Sequence, residues 1–190
     1  MFATYLELGY NHILDIEGYD HILFIVALCA VYRISQWKQI LVLVTAFTIG
    51  HSLTLALSAY RLVVFPAPII EFLIPLTILI TALFNVSREE SLEKKINLNY
   101  LLSLFFGLIH GLGISNYLRA LLGKEENIVE PLFAFNIGVE LGQIIIVLVT
   151  IALGFLFMNV FKTKQRAWNL FVSGASAGVA ITLMVDAKFW

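Results

Sequence analysis

The sequence predicts an all-α integral membrane protein, a six-transmembrane-helix bundle preceded by a short amphipathic or irregular N-terminal segment. The chain of 190 residues is 60% hydrophobic and 13% charged, whereas soluble domains carry roughly a quarter charged residues. Its mean hydropathy is +0.91. Its apolar residues also fall into segments of about the 20 residues that a membrane crossing needs. Residues 1–190 are therefore expected to form a single polytopic membrane domain.

The predicted helices lie between groups of charged residues and prolines, which end apolar segments. These breaks fall at residues 33–38, at Arg61 before Pro66 and Pro68, and in the runs SREESLEKKIN, GKEEN and KTKQR. The helices are expected near residues 19–35, 38–60, 67–86, 97–117, 130–160 and 167–187. In the last helix Gly174 and Gly178 form a GxxxG pattern, which predicts close packing, most simply within this chain.

The charge balance excludes some classes of partner. A net charge of −1 offers no basic surface to a nucleic acid, so membrane lipid is the expected surrounding. Cys29 is the only cysteine, and the chain therefore forms no intramolecular disulfide.

The positions of lysine and arginine predict the orientation, because short positively charged loops stay on the cytoplasmic side. With the amino terminus outside, the inner loops hold Arg33, Lys38, Arg88, Lys94, Lys95, Lys162, Lys164 and Arg166. The outer side then holds the smaller set, Arg61, Arg119, Lys124 and Lys188. We expect both termini outside, in a bacterial cytoplasmic membrane.

In that orientation the ionisable side chains converge on the outer half of the bundle. They are His12, Asp20 and His21 around the start of the first helix, His51 past the middle of the second, Glu71 early in the third, His110 late in the fourth and Glu140 in the fifth. Ionisable groups inside a membrane are costly and usually functional. The convergence predicts one polar site open to the outside, to which the stretch NHILDIEGYDH contributes the first part.

Imidazole and carboxylate ligands favour a divalent metal ion such as nickel, cobalt or zinc. Copper(I) would require more sulfur ligands, and magnesium or calcium mostly oxygen ligands. Asn136 and Gln143 lie on the same helical face as Glu140 and could orient the ligands. No organic cofactor is expected.

Other roles are open for several of these residues. A membrane histidine can be a hydrogen-bonded packing residue, and His12 could be a solvated residue in front of the helix. Asp20 could cap the first helix, because a carboxylate satisfies amide donors there. Glu71 could be an interfacial acid that reaches water.

The motifs HIL…GYDHILF, AFTIGHSLTL, FGLIHGLG and FNIGVELGQ, together with Glu71, resemble the HupE/UreJ family over residues 8–145. The resemblance implies a six- to seven-helix protein associated with hydrogenase or urease maturation and acting as a nickel or cobalt permease. It assigns metal binding to His12, Asp20, His21, His51, Glu71, His110 and Glu140. The spacer ILDIEGY between His12 and the Asp20–His21 pair is longer than the family pattern.

Two functions of different classes fit these residues. The first is a divalent transition-metal permease, favoured by the resemblance, with metalloenzyme-maturation proteins as candidate partners. The second is a zinc-dependent membrane-embedded hydrolase in which the same residues hold the metal and Glu71 or Glu140 acts as general base. A metal sensor or chaperone is a third alternative.

Overall fold

Seven α-helices make up the part of the chain that the computed structural model describes, residues 1–87, 96–122 and 127–188. They are α1 (Phe2–Ile13), α2 (Asp20–Cys29), α3 (Trp37–Ala59), α4 (Ala67–Ser87), α5 (Ile96–Leu122), α6 (Val129–Phe155) and α7 (Gln165–Asp186). A 3-10 turn, Ile34–Gln36, leads into α3, and a π-helical turn, Leu156–Val160, continues α6. These ranges contain no strand.

Five segments are long and apolar enough to cross a membrane, and the protein is an integral membrane protein. The segments are Ile34–Ala59, Ala67–Ser87, Asn99–Leu122, Val129–Val160 and Gln165–Asp186. The first of the six predicted helices, over residues 19–35, differs from the structure: α2 has only 10 residues. The segment before it, predicted to be amphipathic or irregular, contains the regular 12-residue helix α1.

The early end of α2 is stabilised by side chains from two later helices. The Asn85 amide of α4 donates a hydrogen bond of 2.7 Å to the Ala27 carbonyl, and the Gln165 amide of α7 donates one of 3.1 Å to the Ala30 carbonyl. The last carbonyls of a helix have no partner within the helix. Amide donors from α4 and α7 supply such partners, so the chain can leave the helix inside the bundle.

Glycines bring two helix pairs into backbone contact. A β-carbon at Gly138 of α6 would overlap the Leu6 carbonyl of α1, and one at Gly50 of α3 would overlap the Leu104 carbonyl of α5. Because lipid gives no hydrophobic drive for helix association, close van der Waals contact of this kind is a main source of stability in membrane bundles. These contacts fix α1 on α6 and α3 on α5.

The long helices alternate in direction, which gives the bundle two distinct ends. A β-carbon at Gly107 of α5 would meet Phe47 and one at Gly111 would meet His51, so α3 and α5 run parallel. α4 runs the other way, because Thr77 contacts His110 while Asn85 lies near the start of α5. We call the end where α4 and α6 begin the histidine end, and the other the opposite end.

Two sequence-based expectations concern features away from the histidines. The prediction that Gly174 and Gly178 pack against a helix of this chain was wrong, because a β-carbon at either position would have no neighbour within 4 Å in the described part of the chain. Of the residues that predicted the orientation, Arg88, Lys94, Lys95 and Lys124 lie outside the described residues.

Candidate metal centre

The four histidines of the chain lie together in the bundle. His12 is in the last turn of α1, His21 in the first turn of α2, and His51 and His110 are in α3 and α5. One ring nitrogen from each of His12, His21 and His51 lies within 4.8 Å of the other two. The ring centroid of His110 is 5.0 Å from that of His21. Residues nearly a hundred positions apart in the sequence therefore meet in one cluster.

The interruption between α1 and α2 brings the first two imidazoles together. α1 packs on α6 and ends just after His12, and α2 begins just before His21. Their ring centroids are 4.7 Å apart. An unbroken helix would space these residues by about 1.5 Å of rise per residue, or roughly 13 Å in all. The irregular segment 14–19 removes that separation.

Aromatic side chains surround the cluster and exclude water from it. Phe24 and Phe47 lie with their ring centroids 5.2 Å and 5.1 Å from that of His110, and Phe135 stacks on His51 at 6.4 Å. His51 and His110 have no exposed surface, and His21 is only 4% exposed. An apolar shell of this kind strengthens electrostatic interactions and controls how solvent reaches a metal site.

Asp20 fixes the orientation and the tautomer of His21. Its Oδ1 atom lies 2.7 Å from Nδ1 of His21 and also accepts the His21 backbone N–H. A carboxylate can only accept, so Nδ1 carries the hydrogen and Nε2 presents its lone pair. Metal-binding histidines commonly have this carboxylate partner. The cap position of α2 is occupied by Tyr19, and Asp20 is the first residue of the helix.

Thr77 fixes His110 in a similar way, and the sequence did not reveal this role. Its hydroxyl donates to the Ile74 carbonyl at 2.7 Å and lies 2.9 Å from Nε2 of His110. Because the single hydroxyl hydrogen is already used, Nε2 of His110 must donate, which leaves the lone pair on Nδ1. The sequence predicts Thr77 near the middle of its helix, on the inner side of the histidines, and contains no signal for a contact with His110.

Five nitrogens of the cluster are buried without a hydrogen-bond partner among the described residues. They are Nε2 of His12, Nε2 of His21, both ring nitrogens of His51 and Nδ1 of His110. Buried polar atoms are nearly always paired, so a concentration of unpaired ones requires an explanation such as an ion. For His21 and His110 the unpaired nitrogen is the one that bears the lone pair. The residues present fit a divalent transition metal.

His12 is also held neutral by its surroundings. His12 lies in α1, which is not one of the candidate membrane spans. The pKa of His12 falls from 6.5 to about 3, mainly because the ring is buried. A proton shared with the neighbouring imidazole of His21 would lower it further, while the negative charge of Asp20 acts in the opposite direction. A neutral imidazole is the form that binds a metal ion. His12 is therefore in its ligating form at neutral pH.

Two of the three predicted residues of α6, Glu140 and Gln143, contact α3. Oε1 of Glu140 accepts a 2.7 Å hydrogen bond from Thr45, and Oε1 of Gln143 accepts one of 2.6 Å from Thr48. Asn136 has a buried carbonyl oxygen without a partner in the described ranges. The two threonines were not predicted as site residues. Their signal was their three-residue spacing, which matches that of Glu140 and Gln143.

Glu71 lies at the surface beside Asp20. It is exposed and lines an open pocket of about 320 Å³ together with Glu17, Asp20 and Asp186. Asp20 thus connects this acidic pocket with His21. Neither Glu71 nor Glu140 belongs to the group whose ligand atoms converge, which consists of His12, His21 and His51.

The family model described as HupE / UreJ protein matches residues 1–188. No curated protein and no solved structure matches the chain.

Proposed function

The chain belongs to the HupE/UreJ family, and from this membership we propose that it is a permease for nickel or cobalt. His12, His21, His51 and His110 bind the ion, and Asp20 orients His21. The ion is the substrate, and the protein carries it from the histidine end to the opposite end.

The observation that carries the proposal is the set of buried imidazole nitrogens without hydrogen-bond partners among the described residues. A hydrated dication must exchange water for protein ligands before it can enter a low-dielectric interior. Imidazole suits nickel, cobalt and zinc. The hydrogen bonds to Asp20 and Thr77 keep two of these ligands in the correct tautomer before the ion arrives.

The remaining predicted residues act around the ion. Glu71, with Asp20 and Asp186, attracts cations to the acidic pocket at the mouth of the site. Glu140 and Gln143 hold α6 against α3 through Thr45 and Thr48, and so keep His51 in position. Asn136 offers an amide oxygen beside them for an ion that moves through the site. None of these residues needs to be a permanent ligand.

The histidine end faces the outside of a bacterial cytoplasmic membrane, with both termini there. The support is the excess of lysine and arginine in the loops of the opposite end. Under the positive-inside rule, such loops stay on the cytoplasmic side. Nickel or cobalt delivered to the cytoplasm would supply metalloenzyme maturation, the process with which the family is associated. Maturation proteins are the expected partners.

The alternative of a zinc-dependent hydrolase gains no support. A general base must lie within hydrogen-bond reach of the metal-bound water. Neither Glu140, which accepts a hydrogen bond from Thr45, nor Glu71, which is exposed in the acidic pocket, belongs to the described group of converging ligand atoms. The family match adds nothing in favour of hydrolysis.

The test combines metal binding with flux. Purified protein should bind about one nickel or cobalt ion, and proteoliposomes should accumulate the ion with time, as expected for a single site of converging imidazoles. His51→Ala and His110→Ala should abolish both. Ser58→Ala, which removes another buried polar group of α3, is the matched control and should retain both. Binding without flux in the unmodified protein would exclude the permease, and the absence of binding would exclude the metal centre itself.

A further inference from the structure

A line of buried polar side chains leads from the histidines toward the opposite end along α4. Thr77, Thr81 and Asn85 are spaced by four residues and therefore share one helical face. They are 2%, 8% and 4% exposed, respectively. Polar groups facing protein inside a membrane commonly mark the route of an ion or substrate. The line begins at the metal centre, because Thr77 contacts His110.

The line ends at a small cavity between α2, α4 and α5. The cavity has a volume of about 30 Å³. A space of this size holds a water molecule or two and hence an ion that has lost most of its hydration shell. Thr81 and Asn85 belong both to the line and to the cavity wall, and α5 adds Asn99 and Ser103. Tyr32, hydrogen-bonded to Asn99 at 2.8 Å, completes the polar side of the wall.

The chemistry of this wall differs from that of the histidine cluster. Among the residues that the structure describes, its polar groups are hydroxyls and amides, without a carboxylate or an imidazole, and its other lining residues are apolar. Such neutral groups bind a transition-metal dication more weakly than imidazole does. Conduction requires a site that an ion enters readily and also leaves readily. The cavity is therefore suited to transit and poorly suited to storage.

We propose that the cavity is a second cation site and that Thr77, Thr81 and Asn85 line the path from the histidine cluster to it. This inference rests on the proposed permease function. The substrate is the same divalent ion, which the cavity receives after the imidazoles release it. Hydroxyl and amide oxygens replace part of its water until it leaves at the opposite end.

Thr81 is the most informative residue of the path, because the other two also have structural contacts. Asn85 donates to Ala27 and its carbonyl accepts a hydrogen bond from Asn169. The hydroxyl of Thr81 donates only to the carbonyl of Thr77, four residues earlier, at 2.9 Å. Thr150 of α6 has the same geometry with Ile146 at 2.8 Å and is equally buried, but it does not line the cavity. It is the matched control.

The experiment measures cobalt flux into proteoliposomes and cobalt binding to the detergent-purified protein. Thr81→Val keeps the shape and removes the oxygen, so we expect flux to fall about tenfold, the effect of losing one contact to a charged group. Cobalt binding at the histidine cluster should change by less than about twofold, as for a substitution away from the site. Thr81→Ser should retain flux, and Thr150→Val should retain both properties.

The outcomes separate the two proposals. If the unmodified protein transports cobalt and Thr81→Val transports it equally fast, the path is wrong and the permease stands. If the unmodified protein binds cobalt but does not transport it, the permease and this path both fall. An equal loss of flux in Thr150→Val would also overturn the path, because the effect would then follow from removing any buried hydroxyl.

Discussion

The Nδ1 atom of His21 lies 2.7 Å from the Oδ1 atom of Asp20, and Nε2 of the same ring has no hydrogen-bond partner in the described part of the chain. This pair predicts the effect of Asp20→Asn. The amide can donate to Nδ1 and favour the wrong tautomer, so metal affinity should fall about 10–100-fold. Titration with cobalt, followed by its absorption spectrum, measures the change. Asp15→Asn, at an exposed acid in the same segment, is the control, and equal affinities in the two variants would contradict the role of Asp20.

Thr77 should act on metal binding through His110. Thr77→Val removes the acceptor for Nε2 of His110, and we expect cobalt affinity to fall by about tenfold, as for other residues that orient ligands. Thr77→Ser keeps the hydroxyl and should restore the affinity of the unmodified protein. If Thr77→Val keeps the affinity of the unmodified protein, the hydrogen bond between Thr77 and His110 does not orient the ring for metal binding.

The acidic pocket should affect the concentration dependence of transport. Glu71→Gln removes one carboxylate from its wall, so the cobalt concentration at half-maximal flux should rise while the maximal flux stays the same. The difference should shrink as ionic strength increases, since salt screens exposed charges over about 10 Å at 0.1 M. Glu130→Gln removes an exposed acid from the start of α6 and serves as the control. A lower maximal flux in Glu71→Gln would instead place Glu71 on the path of the ion.

The contact between α1 and α6 should be sensitive to a single methyl group. A β-carbon at Gly138 would overlap the Leu6 carbonyl, so Gly138→Ala should destabilise the protein by about 1–3 kcal/mol, as overpacking does. Gly174→Ala meets nothing within 4 Å and should be neutral or stabilise α7 by about 0.5–1 kcal/mol through helix propensity. Thermal unfolding in detergent compares the two variants. A Gly174→Ala variant as unstable as Gly138→Ala would show that α7 has a neighbour at this face.

Hydropathy and charge were sufficient to predict the class of the protein and its long helices, because the ability of a segment to cross a membrane depends on its local sequence. The end of α2 was not predictable in this way. Residues after Cys29 remain apolar, and the helix stops where Asn85 and Gln165, distant in sequence, satisfy its carbonyls. The GxxxG pattern failed for a related reason: the sequence does not indicate which face of α7 meets another helix.

The candidate site shows the same division between local and tertiary information. Alternating helix direction was enough to predict that His21, His51 and His110 lie toward one end, because the depth of a residue follows from its position in a span. His12 lies in α1, which was not among the predicted helices, and the packing of α1 on α6 brings it to the other three. The orientation of a side chain does not follow from depth. Glu140 lies at a suitable position on α6, but its carboxylate is hydrogen-bonded to Thr45 of α3. Only the packing of these helices decides that contact.

The hydrogen bonds of His21 and His110 also have an electrical consequence. Their protons lie on the nitrogens that face Asp20 and Thr77, so neither ring has to release a proton when a metal ion binds to its other nitrogen. In the absence of a counter-transported proton, an ion that passes through the protein would then carry both of its charges across the bilayer. Each charge gains about 2.3 kcal/mol per 100 mV. A membrane potential that is negative inside would by itself draw the metal inward, and transport would register as an electric current.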